Sequence, residues 1–294
     1  MNLSQKINPI VFKLFQLSLN CRIFYKNTAK INAVQTKHAF FMSSALAFLW
    51  PIKTISKQVG PVAKQSTSVL EKADEMFENG HYKDCYELLK ETGDSQNVEV
   101  QWRICRALYN MSKEPKHDSK YKKELVFQAY EIIANELNFH EDNFAVQKWY
   151  ALLLDSKSSY EGIKERIKQL ETVKKHMDLA VTLNPNDATI LHMLGEWCYQ
   201  ITELPWHQRK IAEVFFASPP HSTYEDALEY FLRAEAVQPR FYSLNLLRLG
   251  ICYLKLEKED QAKYYLKLAA SYPAKSNDDH LANKEAAELL KKLQ

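Results

Sequence analysis

Glycine and proline are sparse, with 6 Gly and 10 Pro in 294 residues. That shortage argues against a β-sandwich or another loop-rich fold, whose many turns draw on both residues. Cysteine is scarce as well. The five (Cys21, Cys85, Cys105, Cys198 and Cys252) are odd in number, far apart and without a Cys-x-x-Cys pair. Such spacing suits neither a disulfide framework nor a zinc site, and it reads as reduced core residues in a cytosolic setting. Acidic residues are missing from 1–70, which hold nine Lys or Arg; 71–294 then carry 30 basic against 36 acidic residues. A basic, acid-free leader ahead of a mildly acidic body implies two parts with different jobs. Catalytic signatures are missing too: no Gly-rich phosphate loop, HExxH, GxSxG or EF-hand loop occurs, and the nine His are scattered. The chain reads as non-enzymatic, with no cofactor and no metal.

What is present is a helix-pair repeat, clearest from Met177 to Pro239. Val173, Met177, Ala180 and Val181 recur at helical spacing before Asn184-Pro185 ends the run. A second helix carries Leu191, Leu194, Gly195 and Cys198, and after an insertion Ala227, Phe231, Ala234 and Pro239 repeat the first spacing. This is the tetratricopeptide pattern, with a period of about 34 residues. Its small residues let antiparallel helices approach closely, and its Pro cannot continue the second helix. The expected fold is all-α: a tetratricopeptide-like helical-hairpin solenoid over 67–294, behind a flexible basic N-terminal segment over 1–66.

In that leader, Lys6, Lys13, Arg22, Lys26 and Lys30 alternate with Ile, Leu and Phe, as in a mitochondrial transit peptide. The uncharged run 38–52 is short of the ~20 apolar residues that span a bilayer, so an interfacial or short anchoring role is the membrane reading. The first helix is expected near Ser68, followed by hairpins built on Leu70–Leu89, Trp102–Leu137, Phe144–Leu183, Leu191–Val237 and Leu246–Ala269. The second helix of the third hairpin is expected as one long helix over 160–183. An Ala, Lys and Glu-rich helix over 280–293 caps the stack. Between Ile201 and Ser222 the insertion holds a short amphipathic helix, whose aromatics are expected to pack on the solenoid; an insertion in a repeat also marks a binding face.

Two sets of residues are candidates for contact with partners. Lys164, Arg166, Lys168, Lys174 and Lys175, with Arg209 and Lys210 in the insertion, would suit an acidic protein surface. Glu161, Glu165 and Glu171 interleave them, so a solvated helix with i,i+4 pairs is the plain alternative. Lys120, Lys122 and Lys123 form a lesser cluster. The second set, Arg103, Gln147, His192, Glu196 and Tyr199, falls where such solenoids face their groove. Solenoids that grip C-terminal carboxylates place Lys, Arg and Asn there; Arg103, Gln147, His192 and Leu247 do not assemble that clamp. Nucleic acid is disfavoured, because the body is net acidic and no basic-aromatic strand platform is expected.

The residues from Trp197 to Leu256 resemble the regulator of microtubule dynamics proteins. The likeness is carried by Glu203-Leu204-Pro205-Trp206, Gln208-Arg209, Ser218-Pro219-Pro220, Ser222-Thr223-Tyr224, Phe241-Tyr242-Ser243 and Tyr253-Leu254-Lys255-Leu256. Upstream, Lys148-Trp149-Tyr150-Ala151 and Tyr160-Glu161-Gly162-Ile163-Lys164 share it, so it covers about 68–293. The resemblance implies a non-enzymatic adaptor in microtubule dynamics, the mitotic spindle and chromosome segregation. Its expected partners are tubulin or microtubules, with other proteins in the groove. It implies a cytoplasmic protein at the cytoskeleton, spindle and spindle pole. Some members of that family are tied to mitochondria or endoplasmic reticulum. The alternative is therefore a mitochondrial or organelle-contact adaptor whose leader targets or anchors it.

Overall fold

A computed structural model describes the backbone of residues 61–293 and side chains from Ser68 onward. The leader, its uncharged run and Cys21 lie outside the described residues. Thirteen helices and no strand occur among the described residues. Five hairpins follow one another: α1 (Pro61–Glu78) with α2 (Tyr82–Glu91), α3 (Val98–Lys113) with α4 (Ser119–Leu137), α5 (Phe144–Glu161) with α7 (Leu170–Leu183), α8 (Ala188–Thr202) with α10 (Tyr224–Val237), and α11 (Ser243–Lys255) with α12 (Glu259–Ala270). The short helices α6 (Ile163–Lys168) and α9 (Trp206–Phe215) are additions to this scheme, and α13 (Asn277–Lys291) closes the stack.

Local chemistry sets the boundaries. Asn97, Asp118, Asn143, Asp187, Thr223 and Ser276 each accept a backbone N–H at a helix start. Helix α1 starts earlier than Ser68, at Pro61, a residue suited to a first helical position. It ends where Gly80, at φ 79°, lets the His81 N–H reach the Met76 carbonyl at 2.9 Å.

The expected long helix over 160–183 is not formed. Gly162 adopts φ 111° and ψ 167°, a conformation restricted to glycine, and parts α5 from α6, while a second break at Gln169 parts α6 from α7. The cap also differs from a merely solvating helix. It starts at Asn277 and buries Asp278, Asp279, Ala282 and Ala286.

The second helices of the later hairpins repeat one buried stripe at i, i+4 and i+7: Val173, Met177 and Ala180; Ala227, Phe231 and Ala234; Ala262, Leu266 and Ala269. Glycines on the first helices admit the large members of that stripe. Gly195 faces the Phe231 ring and Gly250 faces Leu266. Cys85, Cys105, Cys198 and Cys252 are free and buried, and burial raises all four thiols, Cys85 to about 11 and Cys252 to about 12.

Candidate functional site

The first helices of the hairpins would line a solenoid's groove, and from the second hairpin onward they are buried over nearly their whole girth. Every residue from Ala188 to Cys198 on α8 and from Ser243 to Cys252 on α11 is buried. A polar group in such a position must find a partner within the chain or suffer its full desolvation.

The groove candidates have done so. Arg103 donates to Asp74 at 2.9 Å and to Glu99 at 2.7 Å, tying α3 to α1. Burial opposes the Asp74 carboxylate, but Arg103 and Arg106 together hold its pKa below the ordinary range. Gln147 donates to the Glu141 carbonyl, and its amide oxygen meets His176 Nδ1 at 2.6 Å, across to α7. His192 Nδ1 lies 3.0 Å from Asn245 Oδ1, whose amide donates on to the Phe231 carbonyl at 3.1 Å. Glu196 pairs with Arg248 of α11, and the guanidinium lies 4.7 Å from the Tyr199 ring centroid. Burial pushes the half-buried Tyr199 phenol up to about 12. Arg103, His192, Glu196 and Tyr199 thus contact side chains of a neighbouring hairpin, and Gln147 ties together the two helices of its own hairpin. Their partners Asp74, Asn245 and Arg248 lie 29, 53 and 52 residues away in the chain, and no sequence spacing announces the pairing.

The basic candidates separate into two places. Lys174 and Lys175 sit on α7, where Lys174 pairs with Asp178 at 2.7 Å beside a shallow groove of about 410 Å³ floored by Leu179, Trp197 and Pro220. The other five belong to α6 and α9, which pack against each other although they arise from different hairpins. Arg166 is turned inward to Asp155 at 2.9 Å; burial raises that carboxyl even though Arg166 draws it down. Arg209 donates to the Thr202 carbonyl at 3.0 Å, closing the end of α8. Lys168 meets Glu165 at 2.8 Å and Lys210 meets Glu213 at 2.7 Å, both at the surface, and Lys164 is exposed. The single long basic face expected from the sequence is thus broken at Gln169, between α6 and α7, and Arg166 in it and Arg209 in the insertion are both tied within the chain.

The insertion's aromatics divide. Phe215 is half-buried beneath Lys164 and Lys168, whose Nζ atoms lie 5.7 and 5.3 Å from its ring centroid, whereas Trp206 is 76% exposed and Val214 78% exposed. Sequence reasoning did not single out Trp206 as outward-facing, although its place directly after Pro205 on an inserted helix is a usable signal.

A cavity of about 490 Å³ lies between the two ends of the described solenoid, with Phe77, Arg106 and Lys113 on one side and Tyr242, Tyr272 and Asp279 on the other. Burial depresses Lys113 to about 8 and raises Asp278 to about 7, each moderated by the other's charge. Nothing in the sequence hints that these segments meet. Among the described residues no cluster of His, Cys, Asp and Glu could hold a metal, and no helix is long and apolar enough to cross a membrane.

The sequence profile of the family described as regulator of microtubule dynamics protein 1-3 matches residues 69–294. Regulator of microtubule dynamics protein 1 of Pongo abelii is 44% identical over 222 residues, covering 76% of this chain and 71% of that protein. The Mus musculus protein of the same name is 41% identical over 254 residues, covering 85% and 83%. Regulator of microtubule dynamics protein 3 of Xenopus laevis is 31% identical, covering 78% of this chain and 50% of that protein. Among solved structures, a thermophilic TPR protein of Thermus thermophilus superposes with a TM-score of 0.52 at 14% identity, covering 76% of this chain and 98% of that one. That likeness supports the tetratricopeptide fold.

Proposed function

The chain belongs to the regulator of microtubule dynamics protein 1-3 family, and from that premise we propose that it is a non-enzymatic adaptor that attaches to microtubules through tubulin. The observation that carries the reading is the family match over residues 69–294. Exposed lysines at 164, 175 and 210 on rigid helices support a charge-assisted attachment, since tubulin presents an acidic surface. The adaptor works in the cytoplasm, at the cytoskeleton, spindle and spindle pole, in chromosome segregation. Partners other than tubulin use the outer surfaces, because the inner-row side chains are already engaged within the chain.

The test is cosedimentation of the full chain with microtubules across a salt series. Binding that weakens steeply as salt rises supports direct, charge-driven attachment. No pelleting at low salt removes the reading.

The acid-free leader favours a second reading, a mitochondrial or organelle-contact adaptor. A fluorescent fusion lacking residues 1–66 separates the two. Loss of spindle signal along with organelle signal supports the second; retention of spindle signal supports the first.

A further inference from the structure

We propose that the α6–α9 projection is the element that meets tubulin, with Trp206 and Val214 as its apolar anchors; this rests on the microtubule reading above. Neither helix is needed to stack the hairpins. They pack on each other, α6 also rests on α5, and Ile167 of α6 and Ala212 of α9 are buried.

The outer side of α9 is unlike a solvated helix. Trp206, Lys210 and Val214 stand at i, i+4 and i+8, on one stripe. The two apolar members are 76% and 78% exposed, and Ile163 at the start of α6 is 39% exposed. Scattered apolar residues on a surface are ordinary, but a tryptophan this bare, aligned with a second apolar residue and a lysine, matches the aromatic and basic make-up of interface hot spots.

Charge names the partner. Helices α6 and α9 present Lys164, Lys168 and Lys210 against Glu165 and Glu213 at the surface, with Arg166 held by Asp155 and Arg209 by the Thr202 carbonyl beneath them, a net positive patch on a body with more acid than base. The Lys210–Glu213 and Lys168–Glu165 pairs are solvent-exposed, and such pairs hold about 0–1 kcal/mol, so carboxylates of a partner can replace them. An acidic protein surface would be drawn to this end of the molecule and oriented by it.

The experiment compares the full chain with the double variant W206A/V214S, and with L179S in the α7 groove as a control, in microtubule cosedimentation. Circular dichroism melts first establish that both variants fold. The expected result is at least a tenfold weaker affinity for W206A/V214S, with L179S unchanged. Wild-type affinity in the double variant would overturn the assignment of this projection and leave the microtubule reading intact. Failure of the unaltered chain to bind at low salt would overturn both. Phosphatidylserine vesicles provide the other arm: a double variant that stops pelleting with vesicles while still pelleting with microtubules would mean that the projection faces a membrane, and the proposal falls.

Discussion

Glu196 on α8 and Arg248 on α11 form an ion pair with 2% of each side chain exposed. Burial opposes the guanidinium charge, and the Glu196 carboxylate more than restores it. A pair like this adds little net stability over apolar residues of the same size, but breaking it leaves one charge buried alone. Arg248→Met is therefore expected to cost about 3–5 kcal/mol in urea unfolding, whereas E196Q/R248M recovers a large part of the loss. Equal losses in the single and double variants would show that the pair is not the source.

Gly195 is a second point where the stack allows no change. A Cβ there would lie 2.7 Å from the Phe231 ring, which is itself fully buried. Alanine in a helix interior gains about 1 kcal/mol over glycine, yet overpacking a close contact costs about 1–3 kcal/mol. Clash should win, because a ring with none of its surface exposed can yield only by displacing close-packed neighbours. Gly195→Ala is expected to lower the melting temperature, and the companion change Phe231→Leu should restore part of it. A melting temperature at or above that of the unaltered chain would show that the helices part without cost.

The fold was legible because apolar residues and breakers obey a local rule. Ala227, Phe231 and Ala234 advertise a buried stripe by their spacing alone, and Asn79-Gly80 advertises a helix end. Function-bearing geometry obeys no such rule. His192 and Glu196 occupy groove positions in the repeat, but whether they face water depends on Asn245 and Arg248, more than fifty residues away. Lys164, Arg166 and Lys168 look alike in the sequence; only the turn at Gly162 sends Arg166 inward to Asp155 and leaves Lys164 outside. Tyr160 through Leu183 reads as one helix because a lone glycine is tolerated in helices, and its φ cannot be read from its neighbours.

A pH dependence follows from the meeting of the two ends. Asp278 is raised from 3.8 to about 7 by burial, with Lys113 drawing it down and Asp279 pushing it up. Its folded-state pKa lies above the unfolded value, so the folded state binds more protons between about 4 and 7. This group's contribution is complete below pH 4 and is lost as pH rises through about 7. Lys113, depressed to about 8, acts at higher pH: stability recovers as the pH rises from about 8 toward 10.5. Unfolding free energies of the unaltered chain and of Asp278→Asn, measured from pH 4 to 8, should diverge, with the variant the less pH-dependent of the two. Parallel curves would contradict the assignment.

Gly162 sets where the projection points. Its φ of 111° with ψ of 167° is open to glycine and strained for any L-residue with a side chain, at about 1–3 kcal/mol. Nothing lies within 4 Å of the place a Cβ would occupy, so the cost of Gly162→Ala is conformational and not steric. The strain is relieved most simply by letting α5 run on toward α6, which would pull Arg166 from Asp155 and lift Ile167 out of its buried place. Gly162→Ala is therefore expected to speed amide exchange in α6 and α9 while leaving α11 and α12 protected, and to lower global stability by no more than the local strain. Unchanged exchange in α6 would mean that the alanine is accommodated in place, and that the direction of the projection is held by Asp155 and Arg209 rather than by the glycine.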